Sequence, residues 1–324
     1  MENNFTNQTE VTDFADKKNI QAYVVVFFSV SNGLLGLIAN TVTIAAILHG
    51  KLYKHSGFVK ILNLLVCNLI HCAIFLPLMA VEAFTGLWTN HAGLCNLVSF
   101  GLFCNLGTEL LGYTSISLNR YFCIVNNRLY KMLYGKTWLL AVEWVVSWSI
   151  YPVILALPLF NVWSHYEFHP RKMLCHPFLG RDCTGYCLFV FGFAILSTVP
   201  VITYCYLWII VTYFKAKRQL LHNQDSGLSN SHRSTFSHQS EHARQKSEHK
   251  MAFTILAVIV FFSLFRVPFL MLYIYDPSMT KVNPIVHTSL IYAGTILNWV
   301  NPIIYALTNT HLRTSMNKML KCNR

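Results

Sequence analysis

The chain has 324 residues, of which 54% are hydrophobic and only 12% charged. A water-soluble domain needs about a quarter of its residues charged, so lipid must supply much of the solvent. The net charge of +12 does not point to nucleic acid, because the basic residues sit in short segments between apolar runs and form no basic face interleaved with aromatics. Most of the ten cysteines lie inside apolar runs, where they act as small hydrophobes and build no disulfide scaffold.

In chain order, residues 1–20 are polar and lack the basic start and apolar core of a secretory leader. They carry two sequons, at Asn4 and Asn7, and read as a glycosylated extracellular tail. Crossing a bilayer takes roughly 20 apolar residues per helix. Seven stretches qualify: about 21–48, 58–82, 92–125, 137–160, 185–214, 250–275 and 284–308. Helices are expected because a lipid-embedded backbone must satisfy its own hydrogen bonds. The fold class is therefore an all-α membrane protein, a seven-transmembrane helix bundle. Between the fifth and sixth spans, 215–249 is rich in Ser, His, Gln, Lys and Arg and reads as a flexible loop or frayed helix. After the seventh span, Leu312, Met316, Met319 and Leu320 share one face of a short amphipathic helix within 309–324. Cys322 at its end is either a palmitoylation site or a plain cysteine.

Lys and Arg crowd one set of loops and the tail, including Lys51, Lys54, Arg128, Lys131, Lys215, Arg218, Arg313 and Lys318. The positive-inside rule places these in the cytoplasm. An odd number of spans then leaves the N-terminus outside, with the plasma membrane as the expected location.

Several motifs recur in order along the spans. Asn119-Arg120-Tyr121 ends the third span and Asn301-Pro302-Ile303-Ile304-Tyr305 ends the seventh. Cys95 opens the third span, Cys175 follows the fourth, Trp148 lies within the fourth, Asn40 within the first, and Pro268 interrupts the sixth. The set resembles the rhodopsin-like (class A) G-protein-coupled receptors over nearly the whole chain. Within that family, the stretch from Asn119 to Tyr134 is similar to melatonin receptors and to the Moody and Trapped-in-endoderm receptors.

The resemblance implies a heterotrimeric G protein and arrestin as partners and a Cys95–Cys175 disulfide. It implies no cofactor, no metal and no catalysis. It makes Asn119, Arg120, Tyr121, Tyr206, Asn301, Pro302 and Tyr305 the coupling switch. Glu248 occupies the position of Arg120's resting partner, although the same residue also reads as a solvated loop acid. By the same geometry the ligand cavity is lined by Glu82, Leu102, Phe103, Phe191, Phe269, Leu270, Tyr273, His287 and Ile291. That lining suits an apolar or amphiphilic ligand. Retinal attachment is excluded by Thr295 and amine recognition by Leu102.

Three departures from the family stand out. Asn68 replaces the aspartate of the second span, Glu109 a small polar residue of the third, and Arg266 the tryptophan of the sixth. An intramembrane charge costs at least about 2.5 kcal/mol, so it normally faces the interior and is paired. Glu109 lies about 16 Å from Arg120 along its helix and Arg266 about 27 Å from Glu248. Two long side chains with helix tilt span the difference. A Glu109–Arg266 salt bridge is the leading reading. Protonated Glu109 hydrogen-bonded to Asn68, Asn105 or Asn298, with Arg266 on backbone near Pro268, is the alternative. Glu143 in the fourth span has no evident partner.

A transporter would show internal repeats or matched broken helices. A hydrolase would show a nucleophile with its base, or a metal cluster, and His71 stands alone. Neither pattern is present. A receptor that is ligand-independent or biased toward arrestin is the closer alternative. If Glu248 holds Arg120 at rest, Glu248→Ala raises ligand-free nucleotide exchange on a G protein; unchanged basal exchange identifies Glu248 as a loop acid.

Overall fold

The computed structural model describes residues 2–86, 91–169, 173–177, 184–225 and 280–321, with parts of 256–276. Glu248, Leu270, Tyr273 and Cys322 lie outside the described residues, as do the side chains of Asn4 and Asn7. Six helices are long and apolar enough to cross a membrane: Ile20–His49, Ser56–Thr85, Ala92–Ile124, Thr137–Ala156, Gly185–Gln219 and Pro284–Thr308. Helical residues within 256–275 supply the sixth span in chain order and complete a seven-helix bundle.

Boundaries differ from the sequence reading in three places. The first helix begins at Glu2, so its backbone runs through the polar tail. The fourth ends at Ala156, and turns occupy 157–161. The fifth continues to Asp225, because Lys, Gln, Leu and His after the span are adequate helix formers with no proline among them.

Prolines shape the spans. A π-turn at His71–Phe75 precedes Pro77 in the second, taking up a residue where the proline leaves a carbonyl without its donor. Pro152, Pro200 and Pro302 lie inside the fourth, fifth and seventh helices. A 3-10 turn, Gly294–Ile296, divides the seventh.

The third span is central, packing on the second, fourth and fifth, while the first packs on the second, the seventh and the C-terminal helix. Gly107 allows the third and fourth spans to close: a Cβ there would meet the Tyr151 ring at 2.2 Å, the small-residue contact on which membrane helices rely. Trp148 Nε1 donates to Asn63 Oδ1 at 2.7 Å and ties the fourth span to the second. Phe27, Ile38, Val145, Val153, Leu196 and Leu207 are exposed on the bundle's outside. In water they would form an aggregating surface; in hydrocarbon they face their own solvent.

One end of the bundle carries the C-terminal helix, Thr310–Lys321. Asn309 Oδ1 caps it, accepting from the His311 and Leu312 N–H groups at 3.0 and 3.2 Å. Leu312 is fully buried, and Ser315 donates to the Ala46 carbonyl at 2.7 Å. The opposite end carries the hairpin Glu167–His169 and Leu174–His176, in which Phe168 pairs with Cys175. A Cys95–Cys175 disulfide bolts this hairpin to the third span.

Asp276, just after the sixth span, organises the loop to the seventh. Its carboxylate is buried and accepts the N–H groups of Thr280, Lys281 and Val282 at 2.9, 3.0 and 2.8 Å. His287 Nε2 lies 3.1 Å from it. Burial works to raise the carboxyl's pKa, but the bonds from Val282, Thr280, His287 and Lys281 outweigh it and hold the group well below the usual carboxylate range. A depressed pKa stabilises the fold above the unfolded value of about 3.9, and that contribution is lost as pH falls through the folded value. Asp276→Asn is therefore expected to lower the melting temperature in detergent at neutral pH, with the gap to wild type closing below about pH 4. Equal melting temperatures at neutral pH would count against this role.

Candidate functional site

Glu109 sits in the middle of the third span, 3% exposed. Arg266 lies in the sixth span, two residues before Pro268. The structure brings them together, with Arg266 Nη2 3.9 Å from Glu109 Oε2. The guanidinium also lies against the seventh span, where a Cβ on Gly294 would touch it at 3.4 Å.

The chain of polar groups continues inward. Tyr113 lies one helical turn below Glu109, the spacing at which side chains stack on one face, and its hydroxyl donates to Glu109 Oε1 at 3.2 Å. Asn301 Nδ2 donates in turn to the Tyr113 hydroxyl at 2.7 Å. A relay thus runs Arg266–Glu109–Tyr113–Asn301, from the sixth span through the third to the Asn-Pro-Ile-Ile-Tyr segment of the seventh. Glu109's neutral partner is Tyr113 rather than Asn68, Asn105 or Asn298. Asn105 Nδ2 donates instead to the Cys67 carbonyl, and Asn40 Nδ2 to the Asn298 carbonyl. Asn68 and Asn298 are buried beside them. Sequence reading missed Tyr113 because a tyrosine in an apolar run looks like core; its one signal is the four-residue step from Glu109.

At the inner end, Asn119 and Arg120 are buried. Asn119 Nδ2 donates to Ser56 Oγ at 3.0 Å, which lies 3.0 Å from the Tyr130 hydroxyl. Arg120 packs on the bare backbone of Gly57, where a Cβ would stand 1.9 Å from its guanidinium. Tyr206 and Tyr305 are buried in the same cluster as Tyr113. The hydroxyls of Tyr121 and Tyr204 approach to 3.5 Å.

A second intramembrane pair lies nearby. Glu143, left without a partner by the sequence, accepts from Lys60 of the second span and Ser115 of the third. Lys60 is 3% exposed, donates to Ser115 at 2.9 Å and stands 4.7 Å over the Tyr134 ring. The cluster joins the second, third and fourth spans to the short helix Asn127–Tyr134. A lone lysine near the end of an apolar run reads as one that snorkels to water, which is why the sequence concealed its role.

Beside the relay lies a cavity of about 390 Å³ between the third, fourth, fifth and sixth spans. Glu109, Tyr113 and Arg266 stand in its wall, and Phe103, Phe191 and Phe269 also line it. Glu82, Leu102, His287 and Ile291 lie elsewhere. Glu82 is buried in the second span, Leu102 and Ile291 pack in the cluster around Val25 and Met79, and His287 is held by Asp276. This cavity follows the fifth span rather than the second and seventh, so it does not reach them. His176 was not anticipated: the disulfide brings it over the cavity, where its ring meets Phe103 edge-on at 5.1 Å.

Comparison with known proteins agrees with this architecture. Residues 39–305 match the 7 transmembrane receptor (rhodopsin family) profile. The protein trapped in endoderm-1 of Drosophila melanogaster is 23% identical over 299 residues, covering 88% of this chain and 74% of that one. The G-protein coupled receptor moody of the same fly is 27% identical over 195 residues, 58% of this chain but only 28% of that longer one. Squid rhodopsin superposes with a TM-score of 0.75 at 15% identity, over 94% of this chain and 86% of its own. The chain belongs to the rhodopsin family of seven-transmembrane receptors, a class of receptors and not of enzymes.

Proposed function

We propose that this receptor sits in the plasma membrane with its N-terminus outside, takes an apolar or amphiphilic ligand into the cavity, and activates a heterotrimeric G protein, with arrestin as a second partner. The observation that carries this reading is the relay from the cavity wall at Arg266 to Asn301 in the seventh span. A ligand that alters the Arg266–Glu109 contact alters the hydrogen bond of Tyr113, and through it the hold of the third span on the seventh. A ligand shifts such an equilibrium only by its differential affinity for the two states. A cavity whose wall contains the linking ion pair meets that requirement directly.

Arg120, buried against Gly57, serves as the coupling residue at the inner face, released when the sixth span moves. Glu248 is its proposed resting partner. Asn4 and Asn7 are proposed glycan acceptors and Cys322 a proposed lipid anchor.

In reconstituted bilayers the wild type is expected to stimulate nucleotide exchange on a G protein, and Arg120→Ala to abolish it. Retained arrestin recruitment without any exchange by the wild type would favour the arrestin-biased reading. Glu109→Gln and Arg266→Gln should each destabilise the receptor, by up to about 3–5 kcal/mol, because each strands a buried charge. The double variant should recover part of that loss. Singles that add without any recovery would mean the two groups are not coupled.

A further inference from the structure

The cavity's shape and the guanidinium of Arg266, the one Lys or Arg among its described lining residues, say more about the occupant than apolar character alone. On the fifth span its lining residues form two stripes. Phe191, Ala194, Thr198 and Ile202 lie on the inner stripe, buried or half-buried; Ile195, Val199 and Thr203 lie on the outer, and all three are exposed. The sixth span repeats the pattern, with Ile259, Arg266 and Phe269 half-buried and Ser263 and Val267 exposed. The inner edges of both helices thus face the bundle and the outer edges do not. At mid-span depth the surroundings of an outer edge are hydrocarbon, so the cavity is a slot that opens sideways to the bilayer.

Two ionic groups meet in that slot, and they differ in access. Arg266 is 20% exposed and Glu109 only 4%. Glu109 is further engaged by Tyr113, whereas its approach to Arg266, at 3.9 Å, is long for an ion pair. A guanidinium carries five donors in a planar fork that matches carboxylate and phosphate oxygens. An incoming anion therefore reaches the cation first and competes with Glu109 for it. The volume of about 390 Å³ lies near the lower end for small-molecule sites; it accepts one acyl chain rather than a two-chain lipid.

We infer that the slot takes a single-chain amphiphile with an anionic head group, a phosphate or carboxylate, which enters from the bilayer between the fifth and sixth spans and seats its head on Arg266. The inference deepens the proposed receptor function and rests on it. Binding replaces Glu109 as the counter-ion of Arg266; Glu109 then takes up one proton from solvent, so no buried carboxylate is stranded, and the neutralised carboxyl passes the change through Tyr113 to Asn301.

The test uses the full-length receptor in nanodiscs of neutral phosphatidylcholine, with radiolabelled oleoyl lysophosphatidate as probe. Competitors are oleate, monoolein (the same chain and glycerol without the phosphate), glycerol phosphate and acetate. A charge-assisted hydrogen bond is worth about ten- to a hundredfold in affinity. Oleoyl lysophosphatidate and oleate are thus expected to bind at least about tenfold more tightly than monoolein, with glycerol phosphate and acetate inert. Arg266→Gln should erase that preference while monoolein binding persists. Should the single variant fold poorly, Glu109→Gln/Arg266→Gln carries the same test. Val199→Trp, which fills the mouth of the slot, should abolish binding of every chain-bearing probe. Equal affinity of monoolein and lysophosphatidate for the wild type, or a preference that survives in Arg266→Gln, overturns the head-group assignment. Undiminished binding in Val199→Trp overturns the slot as the site. If no chain-bearing probe binds the wild type, the ligand class is wrong. The receptor reading is then judged separately, by wild-type nucleotide exchange against Arg120→Ala.

Discussion

A charge buried in hydrocarbon must be paired, and in this receptor the Glu109–Arg266 contact decides how three helices sit. The third and sixth spans are joined through it, and the hydroxyl of Tyr113 carries the connection to Asn301 on the seventh. In a medium without water such contacts weigh more than on a soluble protein's surface, because the alternative is a stranded charge. The pair is therefore both a structural tie and the most sensitive point in the bundle.

The second pair, Lys60 with Glu143, is placed differently and has different consequences. It lies on the side of the third span away from the cavity and links the second, third and fourth spans to the helix Asn127–Tyr134 through the Tyr134 ring. One ion pair thus ties the second, third and fourth spans, and the other ties the third to the sixth.

The outer face has its own closure. The disulfide fixes the hairpin over the third span and sets His176 above Phe103. Asp276 fastens the loop between the sixth and seventh spans through three backbone N–H groups and His287.

Much of this architecture was legible in the sequence. Hydrophobic runs of bilayer length can form little other than spanning helices, because their backbones have no water to bond. The order of Arg120, Pro268 and Asn301-Pro302 along those runs identified the family. A Glu109–Arg266 pair was one of two readings the sequence left open, the other being a protonated Glu109, and the assembled helices set the two groups 3.9 Å apart. What tertiary structure alone decided were contacts made across helices by residues that look ordinary on their own. Tyr113 is an aromatic in an apolar run until Asn301 comes within 2.7 Å of it. Lys60 is a span-end lysine until the fourth helix sets Glu143 beside it. The cavity follows the fifth span rather than the second and seventh because helix rotation and separation come from packing at positions such as Gly107 against Tyr151. Periodicity along one helix shows which residues share a face, but which neighbour that face meets is decided only when all seven are assembled.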